Sequence, residues 1–334
     1  MSPGGTGLRE VPVARRLLLA HPGRLAGSLA GIGLALALVL LITGLSAGID
    51  ERITVYEREA GAALYVAQPG TRGLLGGTSS IPTSTLDTVR APPGVDWATP
   101  VRGFFTVTDA GDRRLPAYVV GTDPGAPGGA WSLDVGHLPT GDAEVVIGAL
   151  LADATGVGVG GTIDLLGRPF EVVGVAGDAD MFMASFAFVT HGATDLLLGA
   201  PDTTSFVLVG TEDPSSVRGA LRRQGLHALD VEEVRAHDLA LKGQAYDTAL
   251  NLFVLVGLLA AGAVIGLTVY GVVVEQRRAF GVLKAMGADS RRLSRLVVSQ
   301  ALALAGAGAI AGVGCFVVGR TVISALRPQF AIHL

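Results

Sequence analysis

The chain has 334 residues, 49 % of them hydrophobic and only 16 % charged, with a mean hydropathy of +0.52. Those values are high for a soluble protein of this length, and a formal charge of −4 argues against a nucleic-acid partner. The only cysteine, Cys315, excludes an internal disulfide.

Charge is unevenly distributed. Residues 1–24 carry net +3, residues 275–295 net +4, and residues 50–248 net −13. Uncharged runs at 25–49, 249–274 and 296–319 each exceed the roughly 20 residues needed to span a bilayer. Short basic flanks remain cytoplasmic, whereas a long translocated domain tolerates any charge. The expectation is an α-helical membrane protein with three transmembrane helices and an α+β extracytoplasmic domain. It is a multi-pass protein of the cell membrane with its N-terminus inside.

In chain order, residues 1–24 are expected to hold a cytoplasmic N-terminal helix, with Arg15 and Arg16 beside Leu17–Leu19. The first span, 25–49, is too long for a cleaved signal peptide and reads as a retained anchor. Its glycines at 27 and 31, and at 44 and 48, are spaced for close helix approach. Residues 50–248 form the outer domain, whose first residues continue the span as a stalk.

Within that domain, 63–68 reads as a strand and 71–80 as a Gly/Ser-rich loop, while 84–90 reads as a short helix. Strands at 101–108 and 114–121 suit a hairpin across 109–112. Residues 144–153 combine a strand and a helix, and 161–166 and 169–175 flank a turn at 166–168. The run GVGVGG at 156–161 lacks the strand-before, helix-after setting of a dinucleotide site. Residues 205–233 suggest a second folding unit of β-α-β type, with Asp213 capping a helix that has Pro214 at its first position. Residues 232–248 read as a helix running straight into the second span, 249–274. The third span, 296–319, leaves an outer tail at 320–334.

No metal-ligand spacing or nucleophile motif is present, and no G-x-x-x-x-G-K-[ST] loop occurs in these residues. No catalytic residue or directly bound cofactor is therefore expected. Residues 178–188 cluster Met181, Phe182, Met183, Phe186 and Phe188. Such residues build either a core or an adaptable contact surface for cargo or a partner. The segment EQRRAFGVLKAMGA, residues 275–288, reads as an amphipathic cytoplasmic helix, or as a basic loop that only sets topology.

The pattern E-x-R-R-x-[FI]-G-[VI]-L-K-A-[ML]-G resembles the cytoplasmic loop of FtsX/MacB-type permeases of ABC transporters. Looser likeness to the DevC and HrtB branch lies in ALYVAQPG and PFEVVGVAG. The resemblance implies a MacB-like periplasmic core domain over 50–248 and a partial FtsX-like permease domain over 249–334. It assigns ATPase coupling to Glu275, Arg277, Arg278, Phe280, Gly281, Leu283, Lys284, Met286 and Gly287. It implies a separate cytoplasmic ABC ATPase that uses ATP and Mg, a permease homodimer or heterodimer, and a candidate extracytoplasmic adaptor. The function implied is ATP-driven export or extraction of haem, lipid or another amphiphile. The alternative is FtsX-like mechanical regulation of an outside partner. Family permeases have a fourth span, for which 320–334 is too short. The expectation is a chain truncated relative to a functional permease, with a divergent three-span form as the alternative.

Orientation is directly testable. In a Cys315→Ser background, Ser80→Cys should react with an impermeant thiol reagent on intact cells and Ser290→Cys should not. Equal labelling would reverse the assignment of inside and outside.

Overall fold

The computed structural model describes residues 22–326, except 111–112, 183, 276, 278–280, 283–284 and 286–289. Chain contacts divide it into a helical unit (1–48 and 246–334) and an outer unit (49–245).

In chain order, α1 (Pro22–Ile53) and α2 (Val55–Glu59) lead to β1 (Leu64–Ala67), β2 (Ile81–Pro82) and α3 (Thr85–Arg90). Then come β3 (Trp97–Ala110), β4 (Arg113–Thr122), β5 (Leu133–Gly136), β6 (Glu144–Gly148) and α4 (Ala149–Thr155). They are followed by β7 (Thr162–Leu165), β8 (Arg168–Ala176), β9 (Asp180–Met181), β10 (Ala184–Thr190) and α5 (His191–Leu198). The outer unit continues through β11 (Thr203–Thr204), β12 (Phe206–Gly210), α6 (Pro214–Arg223), β13 (His227–Asp230) and α7 (Val231–Lys242). A π-helical stretch, Gly243–Asp247, precedes α8 (Thr248–Glu275), and α9 is Ser290–Leu326.

The long strand β3 is shared between two structures. Its residues 97–101 pair with β12 on one edge, and residues 102–110 pair with β4 on the other. From β4 the ladder runs through β10, β6 and β8, and β7 joins β8 back to the far end of β3. These strands close a small barrel, which leaves no free edge along that circuit. Strand alternation sorts its side chains. Val119, Val145, Ile147, Phe170, Val172, Ala187 and Val189 share one apolar cluster, while Tyr118, Val120, Val146, Val173, Phe186 and Phe188 join another. The β7–β8 turn places Leu166 and Gly167 at φ of 53° and 81°, the left-handed pair that a two-residue hairpin requires.

The other half of β3 belongs to an open sheet of order β13-β1-β12-β3. One face (Leu64, Val66, Val207, Val209) packs with Val89 of α3 and Val217 and Leu221 of α6. The opposite face (Tyr65, Phe206, Leu208, Leu229) joins the aromatic cluster that includes Tyr56 and Val234.

Two expectations need correction and one is met. Residues 205–233 form the predicted strand, helix and strand, and Asp213 caps α6 by accepting the Ser216 N–H at 3.1 Å. They are not a second folding unit, because β1, from far upstream, lies between β12 and β13 and pairs with both. The second stalk does run as one helix into the second span, as expected, and carries a π-helical stretch at Gly243–Asp247 along its length. Finally, Met181, Phe186 and Phe188 are core residues and form no contact surface. Phe186 is 0 % exposed; it stacks on Tyr56 and Phe188 and meets Trp131 edge-on at 5.3 Å. Phe182 is half-buried, and Met183 lies outside the described residues.

In the helical unit, α1 and α8 run antiparallel, with Gly31 beside Val264 and Gly257 beside Val39. Helix α9 runs parallel to α1. A Cβ at Gly308 would meet Ile32 at 2.3 Å, and one at Gly312 would meet Leu36 at 2.9 Å. Such contacts let backbones approach where lipid gives no hydrophobic drive to associate. Of the sequence-selected glycines, Gly31 makes such a contact, while a Cβ at Gly27 would meet nothing within 4 Å. Leu252, Leu259, Leu267, Ile310 and Val318 remain exposed, as lipid-facing side chains would. Helices long and apolar enough to cross a membrane cover Leu29–Ile53, Val231–Gly271 and Val297–Val322.

Phe186→Ala should destabilise the folded chain by about 3–5 kcal/mol, as expected for loss of a fully buried ring. Thermal unfolding of the purified variant measures this. A change under about 1 kcal/mol would return residues 181–188 to the surface reading.

Candidate functional site

Two places are candidates, and the structure treats them differently. In the cytoplasmic segment, Glu275 is the last residue of α8, and Arg277 and Gly281 are helical and exposed. Val282 beside them is 59 % exposed, which leaves part of the predicted apolar face uncovered. Arg278, Phe280, Leu283, Lys284, Met286 and Gly287 lie outside the described residues.

The second place is the root of the stalk inside the outer unit. Residues 49–53 of α1, together with α2, arrive beside α7. Asp50 Oδ1 meets Lys242 Nζ at 2.6 Å, with the Lys242 side chain only 5 % exposed. Arg52 Nη1 donates to the Asp180 carbonyl at 3.3 Å. The Tyr56 hydroxyl donates to the Gly128 carbonyl at 2.8 Å, satisfying the one polar atom of a ring buried among aromatics. Asp230 and Glu233 form a reciprocal cap at the start of α7, which fixes where that helix leaves β13.

Between α2 and α7 lies a pair of buried carboxyl groups. Asp238 accepts the N–H of Leu74 at 2.9 Å and of Leu75 at 3.1 Å. Glu57 is 3 % exposed, and no donor reaches either of its oxygens. Burial above all, with its neighbour Asp238 acting in the same direction, pushes its carboxyl up to about 8. Burial also raises Asp238, although its two backbone donors and Glu57 oppose that. Asp180 is likewise raised by burial, against the pull of the Ser185 hydroxyl and the Leu150 N–H.

A groove of about 710 Å³ opens beside the glycine-rich loop, lined among others by Arg102, Phe105, Tyr118, Leu198 and Phe206. Arg102 is committed internally to Asp195 and the Thr203 hydroxyl. Phe105 and Leu198, at 53 % and 43 % exposed, supply the exposed apolar surface that residues 181–188 do not.

Sequence reasoning missed the root because its members come from five separated segments. One local signal was available. Ile53, Tyr56, Glu57 and Ala60 fall at spacings of three and four, so Glu57 occupies the apolar stripe of its own helix.

This arrangement, helices entering a β-rich outer domain through one braced root, suits a membrane permease subunit. The MacB-like periplasmic core domain family model matches residues 25–223, and the FtsX-like permease C-terminal model matches 251–333. The chain belongs to the FtsX/MacB-type permeases of ABC transporters. An uncharacterized ABC transporter permease of Mycobacterium tuberculosis H37Rv is 25 % identical over 295 residues, covering 87 % of this chain and 80 % of that protein. Another, from Mycobacterium bovis, is 23 % identical over 293 residues, covering 86 % and 80 %. Among solved structures, the periplasmic region of MacB from Actinobacillus actinomycetemcomitans matches with TM-score 0.41 and 14 % identity, over 54 % of this chain and 92 % of that one. The extracellular domain of the YknZ transporter from Gram-positive bacteria matches with TM-score 0.39 and 16 % identity, over 51 % and 100 %.

Asp50→Ala should leave the Lys242 ammonium without this partner in a largely buried position. The expected loss is roughly 1–2 kcal/mol, since Asp50 itself is 44 % exposed and partly screened. Unfolding with the double variant Asp50→Ala/Lys242→Met completes the cycle, and additive losses would show that the pair does not brace the root.

Proposed function

We propose that this permease couples ATP hydrolysis in a separate cytoplasmic ABC ATPase to export or extraction of an amphiphilic substrate, haem and lipid being candidates. The observation that carries the reading is the braced root. Helix α1 runs unbroken from Pro22 to Ile53, and its outer end is tied to α7 through Asp50–Lys242 and to the barrel side through Arg52–Asp180. A displacement of the membrane helices would thus act on the outer unit at a fixed point. The ATPase, with its ATP and Mg, is a partner because these 334 residues contain no phosphate-cradling loop of their own. A second permease copy, identical or related, would complete the assembly, and an extracytoplasmic adaptor is a further candidate partner.

Burial of Met181, Phe186 and Phe188 favours a second reading. The outer unit would then act on an outside protein as a mechanical regulator, as in FtsX-like mechanotransmission, without moving cargo. Substrate-stimulated ATP hydrolysis in proteoliposomes separates the two: stimulation by an amphiphile supports transport, and stimulation only by an outside protein supports regulation.

In both readings the 275–288 segment docks the ATPase. Phe280 and Leu283 would serve as apolar anchors, with Arg278 and Lys284 at the rim. Phe280→Ala should weaken ATPase binding by roughly 1–3 kcal/mol. Lys284→Ala should have a smaller effect that fades with salt. Pull-down and permease-stimulated hydrolysis report both, and wild-type values in the Phe280 variant would reduce the segment to a topology-setting basic loop.

A further inference from the structure

Glu57 on α2 and Asp238 on α7 lie side by side within the outer unit, 3 % and 0 % exposed. Around them, β1 contributes Tyr65, β4 contributes Tyr118, and α2 contributes Tyr56. Helix α7 adds Arg235 and His237, and the loop after β1 adds the N–H groups of Leu74 and Leu75. The donors are unevenly shared. Both Asp238 oxygens receive a backbone N–H, while both Glu57 oxygens and the Tyr65 hydroxyl are buried with no partner. Tyr56 donates elsewhere, to Gly128, and Arg235 is bound to Glu232 at 2.7 Å.

Two adjacent acceptors without a donor between them cannot both remain ionised in a site removed from water. A hydrogen bond between two carboxyl groups exists only when one of them carries a proton. A metal ion fits poorly, because the N–H dipoles of Leu74 and Leu75 already point their positive ends at Asp238.

We propose that Glu57 and Asp238 bind a single proton between them, forming a latch that holds α2, α7 and the 71–80 loop together at the root of the outer unit. Glu57 carries the proton and donates it to Asp238, which stays ionised and keeps the Leu74 and Leu75 N–H groups. When the proton leaves, two carboxylates face each other, α2 and α7 repel at this turn, and the loop loses its anchor. The latch is independent of ATPase docking.

The direction of the pH dependence follows. Burial lifts the Glu57 carboxyl in the folded chain from its ordinary value of 4.5 to about 8. Between those values the folded chain holds a proton that the unfolded chain has released. Stability therefore falls as pH rises through that window, by at most about tenfold in the folding constant per pH unit, and levels off above it.

The experiment uses the full chain in lipid nanodiscs between pH 5 and 9. Wild type should lose stability up to about pH 8. It should also show an infrared band of a protonated carboxylic acid at pH 7. Glu57→Gln supplies a permanent N–H donor to Asp238, so the band component and the slope between pH 6 and 8 should both disappear. Asp180, also raised by burial, is present in both proteins and cancels in the difference. Should Glu57→Gln fail to fold, Asp238→Asn offers its amide to Glu57 and should remove the same component. A third readout needs no variant. In wild type the Leu74 and Leu75 amides should exchange with solvent at least tenfold faster at pH 9 than at pH 7, beyond the intrinsic rise. An unchanged band and slope in either folded variant would overturn the latch, as would constant protection of those amides. Loss of the wild-type band on adding sodium or calcium ions at pH 7 would also overturn it, in favour of a cation site.

Discussion

The packing of Tyr56 against Phe186 is the contact on which the outer unit depends. Tyr56 lies on the short helix that continues from α1, and Phe186 lies on β10 in the wall of the barrel. Their rings are 5.8 Å apart, and Trp131, Phe188 and Tyr118 close around them at 5.3–6.0 Å. Each aromatic pair contributes about 0.5–1.5 kcal/mol beyond its area. The rings interlock in fixed orientations within a densely packed interior.

Sharing of β3 makes that core common property. Its first residues complete the open sheet and its last residues complete the barrel, so neither can shift along the strand without breaking ladder bonds in the other. The aromatic cluster fills the space between the two and takes in α2 and α7 as well. Stability, fold and attachment of the stalk thus rest on overlapping residues. The helical unit obeys different rules. Its close contacts at Gly308 and Gly312 depend on small size, while large apolar residues such as Leu259, Leu267 and Ile310 stay exposed.

The polar groups of the root add direction to this apolar base. Asp50–Lys242 and Arg52–Asp180 cross from the entering chain to different partners, one toward the exit helix and one toward the barrel. The Glu57–Asp238 pair stands apart, because its neighbours provide no counter-charge bonded to it and its state follows the proton. Beyond α7, the π-helical stretch at Gly243–Asp247 sits at the place where the chain leaves the outer unit. A π-bulge carries looser backbone bonding than the helix on either side, and such bulges recur at functional positions.

The amino-acid sequence alone determined the membrane class, the three apolar spans, the α+β character of the outer domain and most element positions. These follow from local terms: apolar run length, period-two alternation, and capping residues such as Asp213 and Asp230. The 275–288 motif and the resemblance it carried were also local. Tertiary structure decided what depended on partners distant in the chain. It placed β1 between β12 and β13, closed the barrel through β7, and moved Met181, Phe186 and Phe188 from candidate surface to core. An aromatic run reads the same in sequence whether another element covers it or not. The carboxyl pair was hidden for the same reason, since residues 57 and 238 become neighbours only after the chain between them has folded.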